Sequence, residues 1–129
     1  MNTVNVRKVE IGKGIPKICV PVVGITRDDS IDAACKAKET ADLVEWRADW
    51  YEDVLDFKKT EKMMEELRET LGDIPLLFTF RTLKEGGEKE IEKSVYVKLN
   101  EMAVKTGFAD LVDAEAFTGT DEVNTIVET

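Results

Sequence analysis

Val4, Val6, Val9 and Ile11 alternate with polar residues and lead into Gly12-Lys13-Gly14. That pattern predicts a short two-stranded ribbon over residues 1–14. Ile18-Cys19-Val20-Pro21-Val22-Val23 is a continuous apolar run, expected of a strand covered on both faces, with Pro21 near its end or on an unpaired edge. A helix capped by Asp28, Asp29 or Ser30 runs to about Ala41, with Ile31, Ala34 and Ala37 at helical spacing. A second strand covers 41–47. Phe57, Met63, Met64, Leu67 and Leu71 form one stripe of an amphipathic helix over 53–71, which Gly72 ends. Residues 75–80 give a third strand. A helical stripe from Ile91 to Ala103 follows and ends at Gly107; a fourth strand covers 108–114, and a fourth helix begins at Asp121. Strands that alternate with helices in this way predict a parallel sheet of βα units. Four units make half of an eight-stranded barrel. The competing open doubly wound sheet lacks its glycine-rich phosphate turn here, since 22–26 offers only Gly24.

Strand side chains alternate between faces. Leu43, Glu45 and Arg47 therefore share one face of the second strand, with Val44 and Trp46 on the other. Leu77, Thr79 and Arg81 line up on the third, opposite Leu76, Phe78 and Phe80. Leu111, Asp113 and Glu115 line up on the fourth. Charges thus gather at the C-terminal strand ends, where barrels keep their chemistry. Glu45, Arg47, Arg81, Asp113 and Glu115 can pair as a structural network, or the two arginines can hold a carboxylate or hydroxyls of a small organic acid. Lys84-Glu85-Gly86-Gly87-Glu88 reads either as a solvated turn or as a loop over that site.

Composition narrows the chemistry. With 27 Asp and Glu against 18 Lys and Arg, the net charge is −9, which argues against nucleic acid or an anionic membrane as partner. There is no histidine, so no imidazole base and no His-ligated metal is available from these residues. The first six residues have no apolar leader core, and no segment is long enough to span a bilayer. Cys19 and Cys35 are taken as reduced, buried thiols of a cytoplasmic protein.

Glu45-Trp46-Arg47-Ala48-Asp49, the run from Pro75 to Arg81 with Lys84-Glu85-Gly86-Gly87-Glu88, and Asp110-Leu111-Val112-Asp113-Ala114-Glu115 resemble, in this order, the N-terminal half of type I 3-dehydroquinate dehydratase. The resemblance covers essentially the whole chain. It implies four βα units of a (β/α)8 TIM barrel over 15–129, preceded by the ribbon over 1–14. It further implies a shikimate-pathway lyase that needs no metal or organic cofactor. In that family a lysine forms a Schiff base with the substrate ketone and a histidine shuttles the proton, because an iminium makes the adjacent C–H more acidic than a ketone does. Glu45, Trp46, Arg47 and Arg81 fall at substrate-binding positions. Glu85 matches the carboxylate that orients the histidine, and Pro21 stands where some members use a serine.

The family's histidine and lysine lie on later strands, beyond Thr129. Lys17 echoes the Schiff-base sequence but sits at the wrong end of its strand. The chain is therefore expected to carry part of a substrate site and to be inactive alone. A stand-alone non-catalytic half barrel and one chain of a split enzyme are the other readings. Open barrel edges predict a homodimer or higher oligomer.

Overall fold

The computed structural model describes residues 2–129; Met1, the first residue of the expected ribbon, lies outside them. The ribbon pairs β1 (Val4–Val6) antiparallel with β2 (Val9–Ile11), turning at Arg7-Lys8 rather than at the glycines. Four parallel strands follow in sequence order across one sheet: β3 (Cys19–Val22), β4 (Leu43–Arg47), β5 (Leu76–Thr79) and β6 (Leu111–Val112). Helices α1 (Arg27–Ala37), α2 (Phe57–Leu71), α3 (Lys93–Thr106) and α4 (Thr120–Glu128) alternate with them. Each strand, paired with its successor and followed by its own helix, gives the four βα units of a half barrel.

One apolar layer holds the sheet to the helices. Val22, Val44, Trp46, Leu76, Phe78 and Phe80 point outward, against Ala34, Met64, Leu67, Tyr96 and Leu99 from the helices. Trp46 meets Phe78 edge-on, with ring centroids 5.7 Å apart. Chain punctuation fits the local chemistry. Asp56 caps α2, its side chain accepting from the Lys59 amide, and Gly72 and Gly107 close α2 and α3 with positive φ.

Several boundaries differ from the sequence reading. The cap of α1 is Thr26, which forms a reciprocal capping box with Asp29, so the helix begins ahead of Asp28. It also ends at Ala37, short of the expected 41. The fourth strand shrinks to Leu111–Val112, because the edge of the sheet gives it a partner on one side only. β3 is the other edge, and it is not covered on both faces: Ile18, Cys19 and Pro21 are exposed. Cys35 is exposed as well, so the expectation of two buried thiols is corrected. One thiol lies on the open face of the half barrel and the other on the outer surface of α1.

The ribbon is tied to the N-terminal end of the sheet by charge. Arg7 donates from Nε to Asp110 at 2.8 Å and from Nη1 to Asp73 at 3.1 Å. Asp110 also accepts from Arg68 Nη1 and from the Leu76 amide, both at 2.9 Å, so one carboxylate joins the ribbon, α2 and β5. Arg68 in turn donates to the carbonyls of Gly72, Ile74 and Phe108.

Candidate functional site

Parallel pairing sets the register of the C-terminal strand ends. Pro21 stands opposite Glu45, and Glu45 opposite Leu77; Arg47 pairs with Thr79. Strand alternation then directs Glu45, Arg47, Thr79, Arg81, Asp113 and Glu115 to the inner side, away from the helices. Glu45 accepts a 2.8 Å hydrogen bond from the Thr79 hydroxyl. Arg81 donates from Nη2 to Asp113 at 3.0 Å and from Nη1 to Glu115 at 2.9 Å. Glu115 is nearly buried, and it also accepts from the amide and hydroxyl of Thr82 at 3.1 and 2.7 Å.

Arg47 pairs with Asp49, two residues on in a one-turn 3-10 helix (Ala48–Trp50). The fork is bidentate, Nε to Oδ1 at 2.9 Å and Nη2 to Oδ2 at 2.8 Å, and Asp49 is fully buried. Burial would push the Asp49 carboxyl upward, but hydrogen bonds from Arg47 and from the Arg81 and Glu88 amides hold it below its ordinary value. The hydrogen bonds to Asp49 raise Arg47 above its ordinary value. Lys89 Nζ donates to the Asp49 and Tyr51 carbonyls at 2.6 and 3.0 Å.

Four carboxylates surround Arg47 and Arg81, with Lys89 as a third cation at the edge. Both guanidiniums are thus already neutralised. Groups left without a partner among the described residues include the second oxygen of Glu45, the Nη1 nitrogen of Arg47 and the Nε nitrogen of Arg81. That arrangement reads hydroxyls better than it attracts a free carboxylate. Among the described residues, no three His, Cys, Asp or Glu come together as a metal site.

Trp46 is not part of this constellation. It is fully buried on the helix side, its Nε1 without a hydrogen-bond partner among the described residues, because alternation puts it opposite Glu45 and Arg47. Glu85 closes a one-turn 3-10 helix (Leu83–Glu85) in the loop after β5 and is exposed. It borders a cavity of about 470 Å³ lined also by Leu83, Ile91, Tyr96, Glu115 and Phe117. Lys17 lies ahead of β3, at the far end of the sheet, its Nζ bonded to the Ile15 carbonyl at 3.2 Å. Pro21 faces the same side as Glu45 but has no hydrogen-bonding side chain. Cys19 is exposed as a residue, yet partial desolvation of its thiol and the charge of Glu45 push it up, so it is no activated thiolate.

Comparison with known proteins gives the family of the chain. The sequence profile of the family described as Type I 3-dehydroquinase matches residues 18–129. The chain belongs to that family. A 3-dehydroquinate dehydratase of Clostridium botulinum is 52% identical over 126 residues, which is 97% of this chain and 50% of that protein. A 3-dehydroquinate dehydratase of Bacillus licheniformis is 48% identical, over 98% of this chain and 50% of its own length. A crystal structure of the type I 3-dehydroquinate dehydratase of Clostridium difficile, with covalently modified comenic acid, superposes with a TM-score of 0.96 at 42% identity. It matches 98% of this chain and half of that one. The Enterococcus faecalis 3-dehydroquinate dehydratase gives 0.91 at 43% identity, over 97% and 52%. The chain spans about half the length of these 3-dehydroquinate dehydratases.

Sequence reasoning about this family member left Asp49, Thr79, Thr82 and Lys89 unassigned. Asp49 had a signal in Glu45-Trp46-Arg47-Ala48-Asp49, where the acid follows the arginine by two residues. Lys89 had none, since its partners are backbone carbonyls.

Proposed function

We propose that these 129 residues form the hydroxyl-reading part of a 3-dehydroquinate dehydratase site and do not dehydrate the substrate alone. The observation that carries this is the convergence of Glu45, Arg47 and Arg81 on the inner face at the C-terminal strand ends, within a chain of that family. In the reaction, a lysine amine condenses with the substrate ketone and expels water. A proton then leaves the carbon beside the iminium and the hydroxyl beyond it departs as a second water; hydrolysis frees 3-dehydroshikimate. No histidine is present to move that proton, and Lys17 lies at the opposite end of the sheet. Glu45 and Arg47 Nη1 are assigned to substrate hydroxyls, and Glu85 to orienting a base supplied by another segment.

The open edges of β3 and β6 favour association, so we assign a homodimer or higher oligomer formed through them. No helix among the described residues is long and apolar enough to cross a membrane. A cytoplasmic setting, reducing for Cys19 and Cys35, suits the reading.

Calorimetry, borohydride trapping and a turnover assay on the purified chain test it. Expected are heat on adding 3-dehydroquinate, no lysine adduct and no 3-dehydroshikimate. Turnover, or an adduct at Lys17, would overturn it. Sedimentation tests the assembly: a single monomeric species at all concentrations is the result that defeats it.

A further inference from the structure

Asp49 belongs to neither the charges that line the inner face nor the apolar core, yet it is fully buried and fully occupied. Its two oxygens are wired alike. Oδ1 accepts from Arg47 Nε at 2.9 Å and from the Arg81 amide at 3.2 Å; Oδ2 accepts from Arg47 Nη2 at 2.8 Å and from the Glu88 amide at 3.1 Å. Each oxygen therefore serves one guanidinium N–H and one amide at an end of the loop that carries Glu85. The backbone carbonyl of Asp49 adds a third tie, accepting from Lys89 at 2.6 Å.

The loop between those ends is tight. The Thr82 carbonyl accepts from Gly87 at 2.8 Å, and the Leu83 amide donates to the Lys89 carbonyl at 3.1 Å. A Cβ at Gly87 would lie 1.8 Å from the Arg81 carbonyl oxygen, so the loop closes only around a glycine. With its ends fixed, its crest at Glu85 has little freedom.

We propose that Asp49 is a positioning residue that sets Arg47 and the Glu85 loop together, so that neither arm of the site moves without the other. This rests on the reading of Arg47 and Glu85 as parts of the 3-dehydroquinate site. The coupling follows from acceptor chemistry. An amide in place of the carboxylate turns one oxygen into a donor, and whichever oxygen is lost, its replacement faces both an arginine N–H and a loop N–H. Arg47 and the loop must then loosen as a pair. A carboxylate that merely neutralised Arg47 would leave the loop unaffected.

The test is NMR on the labelled 129-residue chain. In the wild type, couplings across hydrogen bonds should connect the Asp49 carboxylate carbon with nitrogens of Arg47, Arg81 and Glu88. In Asp49→Asn, exchange of the Arg47 Nε–H and of the Glu88 or Arg81 amide should speed up together, while core amides such as Leu67 and Phe78 stay slow. Arg47→Gln, which frees the same carboxylate from its other side, should likewise speed exchange of the Arg81 and Glu88 amides. Affinity for 3-dehydroquinate should fall roughly tenfold or more in Asp49→Asn. Missing couplings in the wild type overturn the proposal, and this arm stands even if the variant does not fold. A folded Asp49→Asn chain in which either arm keeps its protection overturns it too. Couplings without any ligand binding by the wild type would uphold Asp49 as positioning residue and sink the assignment of the substrate.

Discussion

Tyr96→Phe isolates one oxygen that ties α3 to the charged strand ends. The ring is fully buried, edge-on to Phe80 at 6.4 Å, and phenylalanine keeps that packing. The hydroxyl accepts from the Glu115 amide at 2.9 Å and donates to the Asp113 carbonyl at 3.3 Å. Both partners belong to residues that hold Arg81. Removing the hydroxyl leaves a buried amide donor with no acceptor, at a cost of about 1–3 kcal/mol, while the longer bond to Asp113 adds little. A loss of about 2 kcal/mol with an unchanged urea slope of roughly 1–3 kcal/mol/M lowers the midpoint by about 1 M. Urea titration followed by far-ultraviolet circular dichroism at one fixed protein concentration reads this directly, since association shifts apparent stability. Exchange of the Glu115 amide should accelerate alongside. A midpoint within about 0.2 M of wild type would refute the claim that this donor depends on the phenol.

Asp110→Asn breaks the clamp on the ribbon and leaves Arg68 half-paired against three carbonyls; expected are a loss of about 3 kcal/mol in urea unfolding and early proteolytic nicking before β3. Gly87→Ala cannot be accommodated beside the Arg81 carbonyl, so the loop should rebuild, with loss of Glu88 amide protection and about 3 kcal/mol of stability. Asp49 is held below its ordinary value in the folded chain. Its contribution is therefore complete above the unfolded pKa and drains away as pH falls through the folded one, which acid titration of unfolding free energy will register. Tyr96 is raised, first by burial. Its contribution is whole below the unfolded tyrosine pKa and declines as pH climbs through the folded one, and Tyr96→Phe should abolish that alkaline limb.

Much of the architecture was legible because strand alternation and helix stripes are local patterns. Val44 and Trp46 against Glu45 and Arg47, and Phe78 and Phe80 against Thr79 and Arg81, fall on the sides that period two assigns them. That same alternation excluded Trp46 from the inner face, although the resemblance had placed it among the binding positions. Asp49 lay outside period-two reasoning, since the backbone leaves the strand at Ala48 and turns it beneath Arg47. The start of α1 depended on a choice among three adjacent polar residues, and Thr26 prevailed because Asp29 reciprocates its bond. Cys19 was misjudged for a global reason: an apolar strand implies burial only when something covers each face, and the inner face of β3 has no cover among the described residues, whereas Cys35 simply falls on the outer side of α1.

The margins of the sheet are unequally furnished. Pro21 removes one donor from the middle of β3, and β6 offers two paired residues. A polypeptide joining either side gains only a handful of main-chain bonds there. Its hold must come instead from hiding Ile18 and Val23 on one flank and Phe117 and Val127 on the other. Attachment driven in that way grows firmer with sulfate and is expected to loosen in the cold.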